Sequence, residues 1–223
     1  MDTGETPNAN QKFFSDAVLT SLAEHGLVPS VIAARMSIAA APEAFQGAVA
    51  AGLLGCGSVV LGSAERAGQF LRSCIELTES EGLSDHDAAT VLRMLKERKQ
   101  VVPGYGHPQH AQGDPRANLL FRLAEERGVV GSHIRMAYAV RDVIPDVLGR
   151  VLPINVNGAI PSVMLDVGFP APALKGISLL ARTAGLIGHL QEESERPIGF
   201  ILSGQAAAAI TYDGPEPQPR NGT

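Results

Sequence analysis

His107 lies in the run PGYGHP, and Arg116 closes the DPR that follows at residues 114 to 116. Glycines let a backbone bend tightly and approach a ligand closely. An imidazole that titrates near neutrality can act as acid or base, or donate to a carbonyl oxygen. Arg116 falls in the first turn of a helix opened by Asp114 and Pro115, where N–H groups and the helix dipole already attract anions. A guanidinium there can grip a carboxylate through two parallel hydrogen bonds. A turn histidine beside a surface arginine fits the same letters, because short motifs recur by chance.

The other histidines read more plainly. His86 sits in the first turn of a charged helix and reads as solvated. His110 reads as loop surface, and His133 opens a helix. His189 follows Arg182 by seven residues on one helix face and reads as a packed, hydrogen-bonded core histidine. Asp114 reads as an N-cap rather than a catalytic acid. No His/Cys/Asp spacing suggests a metal site. Cys56 and Cys74 lie in apolar helical stretches and read as small core residues.

The elements that must position these groups are helical, and the fold class is all-α. Phe14, Val18 and Leu22 recur at four-residue spacing, with Gly26 expected at C′. Pro29 starts a helix through SVIAARMSIAA. Ser84 and Asp87 resemble a capping box for a helix that ends on Lys96, Arg98 and Lys99. Helices follow from Pro115 to near Gly128, from a Ser132 cap to Pro145, after LPINVNG to Gly168, from about Ala171 to Glu193, and through IGFILSGQAAAAI. Residues 1–10 are expected to be disordered, 11–213 to form the helical domain with a small lobe over roughly 105–180, and 214–223 to be a disordered tail.

The 223 residues, 45% hydrophobic, suffice for a substantial core. A formal charge of -5 implies no strongly basic face and argues against a nucleic-acid partner. An anionic substrate would need a local cluster of cations. The polar, acidic N-terminus is unlike a signal peptide, which points to a cytoplasmic protein. Residues 44 to 64 carry no charge, but their five glycines and small side chains read as two close-packed helices broken at Gly55–Gly57 rather than as a membrane span.

VVPGYGH followed by DPR resembles the signature of the citrate synthase superfamily, which includes citryl-CoA lyases. Further segments match in order. SLAEHGLVPSVIAAR is similar to ADHxxNASxxxAR, LPINVNG to the PNVD segment and LLARTAGLIGHLQEE to the late arginine helix. ERP is similar to the RP element, and Tyr212 in YDGP to a terminal motif. The resemblance spans roughly residues 15 to 215 and finds no counterpart for the family's long N-terminal part. It implies that His25, His107, Arg116, Arg182 and Arg196 bind a polycarboxylate. It further implies that Val101, Val102, Pro103, Gly104, Tyr105 and Gly106 contact a coenzyme A thioester bound as substrate rather than as a permanent cofactor. Arg196 would reach a neighbouring subunit, which implies a homodimer with a shared site.

Two positions depart from the pattern. The histidine of GPLHGGAN falls on Val60, and the aspartate of PNVD on Asn157. Valine can neither move a proton nor hydrogen-bond, and asparagine cannot act as a base, though its amide can donate to an enolate oxygen. The expected activity is therefore that of a carbon–carbon lyase cleaving citryl-CoA or a related 3-hydroxy-acyl-CoA, with His107 and Asn157 as the catalytic pair. The alternatives are a synthase of unusual substrate and a non-catalytic polycarboxylate- or CoA-binding relative.

Overall fold

The computed structural model describes residues 6–57, 61–81, 86–106 and 113–215. Among these residues the regular structure is ten α-helices and one 3-10 turn, with isolated β-bridges but no strand. The order is α1 (Ala9–Ala23), α2 (Pro29–Ala40), α3 (Phe45–Leu54), α4 (Ser63–Glu81), α5 (His86–Glu97), α6 (Pro115–Glu126), α7 (Ser132–Leu148), α8 (Val156–Asp166), the 3-10 turn Ala171–Ala173, α9 (Leu174–Glu195) and α10 (Gly199–Ala209).

Two apolar clusters hold these helices. The larger centres on α8, whose Gly158 to Met164 stretch is buried on every side against α4, α6 and α7. The smaller lies between α2, α3 and α9, around Val31, Ala34, Ala48, Leu186 and Leu190. The long helix α9 threads both: Leu174, Ile177 and Ala181 enter the first cluster, Leu186 and Leu190 the second. Arg182 lies at the seam between them.

Local chemistry explains most boundaries. Asn8 and Gln11 form a reciprocal capping box at the start of α1, and Phe14, Val18 and Leu22 are its buried stripe. Pro29 occupies the first turn of α2, and Asp114 caps α6 with Pro115 behind it, as the sequence predicts. The apolar run at 44 to 64 is two helices with a break between them, and no helix of the described residues is long and apolar enough to cross a membrane.

Three expectations need correction. Gly26 does have the left-handed φ of +71°, but α1 ends on an extended Glu24, so Gly26 turns the following loop rather than sitting at C′. Ser132 is not the cap of α7. Gly131 takes that place, and the Asp166 carboxylate accepts from the amides of Gly131, His133 and Ile134 at 2.8–3.0 Å. Burial works to raise the Asp166 carboxyl, but the His133 ring and these amides outweigh it and hold it below the usual range. Nor does Pro145 end α7, which runs on to Leu148 and stops at a left-handed Gly149. The Ser84–Asp87 capping box and the terminal tail fall wholly or partly outside the described residues.

Candidate active site

Four helix N-termini converge on one cavity. Its wall includes Val28 and Pro29 from the start of α2, Ser63 from α4, Arg116 from α6, and Val156 and Asn157 from α8. Leu22, Glu24 and His25 come from the end of α1 and the turn beyond it, Leu61 precedes α4, and Arg182 comes from the middle of α9. As bounded by the described residues the volume is about 150 Å³. That is room for a few waters or a small carboxylate, since a water takes ~30 Å³. The positive ends of several dipoles aimed at one small space favour an anion.

Arg182 supplies the charge. It is 2% exposed, and its Nε and Nη1 have no hydrogen-bond partner among the described residues. Burying a charge without partners is costly, so a guanidinium left in this state points to a ligand that completes it. The neighbouring Cys56 thiol is raised by burial, with the Arg182 charge pulling the other way. It bonds the Gly52 carbonyl and stays a packing residue.

Arg116 is held differently from the expected carboxylate fork. Asp114 caps α6 by accepting from the Arg116 amide at 3.0 Å. Its oxygens then take Arg116 Nε at 3.1 Å and Nη2 at 2.9 Å, and the Val156 amide at 3.0 Å. Two guanidinium donors are therefore already committed, and only the remaining edge can serve a ligand. The buried Asp114 carboxyl would be raised by desolvation, but these bonds keep it below its ordinary value. Asp114 thus ties the first turns of α6 and α8 together and places Arg116 and Asn157 on the same wall.

The PGYG loop is fixed to the start of α8. Gly104 has φ +88°, and a Cβ there would meet the Gly158 Cα at 2.7 Å; a Cβ on Gly158 would meet the Gly104 carbonyl at 2.4 Å. The two glycines make that contact possible. Asn155 secures it. Its amide donates to the Gly104 carbonyl at 3.0 Å and its Nδ2 to the Gly106 carbonyl at 2.6 Å, while its Oδ1 accepts from the amides of Asn157 and Gly158. The exit of the loop toward position 107 is thereby set by the cap of α8. Tyr105 turns inward and donates to the Ala137 carbonyl at 2.9 Å. Val101, Val102, Tyr105 and Gly106 line a second cavity of about 440 Å³, together with Lys96, Lys99 and Arg150.

Of the residues singled out in the sequence, His25, Arg116, Asn157 and Arg182 share the first cavity. Arg196 does not: it is exposed at the end of α9, where its carbonyl accepts from Arg35. His107 and Val60 lie outside the described residues. Sequence reading missed the clamp at Asn155, the wall residues Glu24, Leu61 and Ser63, and Arg35. The last is buried with Glu193 at 2.6 Å, and Glu193 in turn caps α10. An asparagine just before a helix is a legible cap signal, so Asn155 could have been found; the wall residues carry no local signal. His133 pairs with Asp166 at 2.8 Å, and Nε2 of His189 lies 2.7 Å from Glu24. No group of three or more potential metal ligands stands together among the described residues.

Known proteins share the sequence pattern and the helical fold. Residues 1–199 match the family model of the citrate synthase C-terminal domain. The chain is 28% identical over 209 residues to putative citrate synthase 2 of Mycobacterium tuberculosis, covering 91% of this chain and 52% of that protein. It spans about half the length of the curated relatives it matches first. The structure of citryl-CoA lyase from Hydrogenobacter thermophilus superposes with a TM-score of 0.85 at 31% identity, over 97% of this chain and 82% of that one. Citrate synthase from Thermotoga maritima superposes with a TM-score of 0.71 at 20% identity, over 100% and 57%, and so shares the fold. With the family model covering most of its length and the helices in the same arrangement, this chain belongs to the citrate synthase family.

Proposed function

We propose that the protein is a carbon–carbon lyase that cleaves citryl-CoA, or a related 3-hydroxy-acyl-CoA, to an acyl-CoA and a 2-oxo acid. The observation that carries the reading is Arg182, a buried guanidinium whose Nε and Nη1 have no partner among the described residues, on a wall that also holds His25, Arg116 and Asn157. Such a wall suits a polycarboxylate. The likeness to a citryl-CoA lyase supports the direction of the reaction. Asn157 leaves no carboxylate at that position to exchange the methyl proton in either direction, so in cleavage the enolate takes its proton from water.

In cleavage, the bond between the hydroxyl-bearing carbon and the thioester's methylene breaks. The hydroxyl proton passes to a base, the role assigned to His107. The electron pair goes to the thioester carbonyl, whose enolate oxygen the Asn157 amide can stabilise. Water protonates the enolate carbon to complete the acyl-CoA, and the protonated base returns its proton to the hydroxide left behind. The cavity beside Val101 to Gly106 is fitted to the coenzyme A end: Lys96, Lys99 and Arg150 offer cations for phosphates, and Val101, Val102, Leu148 and Leu152 offer an apolar floor. Tyr105 is tied into the core, so the loop would meet the cofactor mainly through Val101 and the edges of Pro103 and Gly106.

Arg196 lies fourteen residues beyond Arg182 on one helix, ~21 Å along its axis. It cannot close the same cavity, which supports its delivery to a second copy in a homodimer. A non-catalytic polycarboxylate-binding role is the second reading, favoured by Val60 and Asn157. Citryl-CoA turnover followed by mass spectrometry, beside citrate calorimetry, separates the two. Turnover supports the lyase, binding without turnover supports the second reading, and neither result together with an intact fold refutes both.

A further inference from the structure

Glu24 lines the cavity, yet its carboxylate is turned to other work. Its Oε1 accepts from the Gly26 amide, and its Oε2 lies 2.7 Å from Nε2 of His189. His25, on the cavity wall, is the residue between Glu24 and the Gly26 whose amide Glu24 binds. His189 stands seven residues after Arg182, two turns along the same face of α9. The carboxylate therefore joins the turn that carries one candidate ligand to the helix that carries the other.

The surroundings hold this pair in place. The α1 end rests directly on α9: a Cβ at Gly185 would lie 1.8 Å from the Ala23 carbonyl. On its other side, His189 Nδ1 is 3.8 Å from Glu192 Oε2, which Arg35 holds at 2.8 Å. Arg35 is buried and fixed by Glu193. Thus His189 stands between two carboxylates: Glu24 on the cavity wall, a close ion pair without hydrogen-bond alignment, and Glu192, braced by the buried Arg35. Partial burial works to raise the Glu24 carboxyl, but the Gly26 amide, the His189 ring and the His25 amide outweigh it and hold it below its usual value. The carboxylate form is the one the turn is built around.

We propose that Glu24 and His189 are positioning residues, which lock the Glu24–Val28 turn to α9 and so fix His25 at a set distance from Arg182; this rests on the polycarboxylate reading of the cavity. Neither side chain exchanges a proton with substrate. Their effect is to spare the ligand the ordering cost of a loop that follows an uncapped helix end.

The test is citrate affinity by calorimetry in the full chain, for Glu24→Gln, His189→Gln, His25→Ala and the double variant Glu24→Gln/His25→Ala. Glu24→Gln and His189→Gln are each expected to weaken binding about threefold, the effect of one close, partly exposed ion pair. Because the latch acts through His25, the double variant should bind no worse than His25→Ala alone. A merely structural role would lower the unfolding midpoint and weaken binding further in the His25→Ala background. Wild-type affinity in either latch variant, or full additivity in the double variant, overturns the proposal. If Glu24→Gln does not fold, Glu24→Asp, one methylene short of His189, carries the same test. Loss of binding in Arg182→Ala with normal binding in the latch variants sinks the latch alone. Absence of citrate binding in the wild type sinks the latch and the cavity reading together.

Discussion

Arg182 and Arg116 have one residue type and one expected role, but opposite electrostatic situations. Arg182 is buried, and among the described residues its Nε and Nη1 have no partner, a costly state for a charge. Replacing it with Met should raise the unfolding midpoint while citrate affinity falls roughly tenfold to a hundredfold, from lost bonds of ~1.5–3 kcal/mol. Arg116→Ala should lower both, because it strips the buried Asp114 of its side-chain partner. Calorimetric unfolding beside citrate titration checks the pair, and a fall in stability in Arg182→Met contradicts this account of the site. Leu61 offers a second contrast. It lines the cavity with φ +71°, a region that costs a residue with a Cβ ~1–2 kcal/mol, and the family's GPLHGGAN has glycine there. Leu61→Gly removes that strain and restores backbone entropy of ~0.5–1 kcal/mol to the unfolded chain. The midpoint should move by less than about 4 °C, whereas truncating a well-packed leucine costs ~2–5 kcal/mol. Turnover should fall as water enters the cavity, and a large drop in midpoint would show that the leucine is unstrained. Residue types were legible in the sequence at this scale, since His25, Arg116, Asn157 and Arg182 do share a wall. Their donors were not legible: whether a guanidinium fork is spent on Asp114 or left open depends on burial and partners that no motif encodes.

At the scale of elements, what positions the site is a set of helix ends. Caps and prolines announced several of them, notably Pro29 for α2 and the Asp114–Pro115 pair for α6. Those ends were legible because capping is a local interaction, decided within four residues. The start of α7 was misread because its cap, Asp166, lies 33 residues away from His133 and ties α7 to the end of α8. Proline ended the same helix too early in the reading, because a proline inside a helix can be tolerated where the lost bond is near the terminus. Packing distances were equally hidden. Gly185 reads as an ordinary helical glycine, yet it is a point where the end of α1 comes directly onto α9. Gly185→Ala should therefore push the α1 end away, weakening citrate binding about tenfold or more without altering any group on the cavity wall, since small misplacements of binding groups are costly. Far-ultraviolet circular dichroism with citrate calorimetry would check this. Unchanged affinity would mean that α1 can shift without moving His25, against the contact seen here.

For the whole molecule, the decisive feature is an apolar end left exposed among the described residues. α10 reads GFILSGQAAAA, yet Gly199 is its one buried residue, while Phe200 is 72% and Ile201 59% exposed. A helix apolar all round normally lies inside a protein. α10 packs on α2, which also carries α3, where Phe45 and Leu54 are 41% and 88% exposed. Exposed patches of this kind mark contact surfaces. The proposed homodimer would cover this end with a second copy and would also give a place to Arg196, which is exposed where α9 ends and is not part of its own cavity's wall. A self-associating surface would be isologous and would bury ~1,600 Å² in a standard case. The coupling makes the prediction specific. Phe200→Asp combined with Ile201→Asp should give a monomer by light scattering at micromolar concentration, with helical content intact. The same variant should lose turnover and citrate affinity as severely as Arg196→Ala in the wild-type background, because each removes the same guanidinium from the same site. Adding Arg196→Ala to the monomeric variant should then change nothing further. A wild-type protein that is monomeric and still binds citrate tightly would show that the site is complete within one chain, and Arg196 would revert to a surface residue at a helix end.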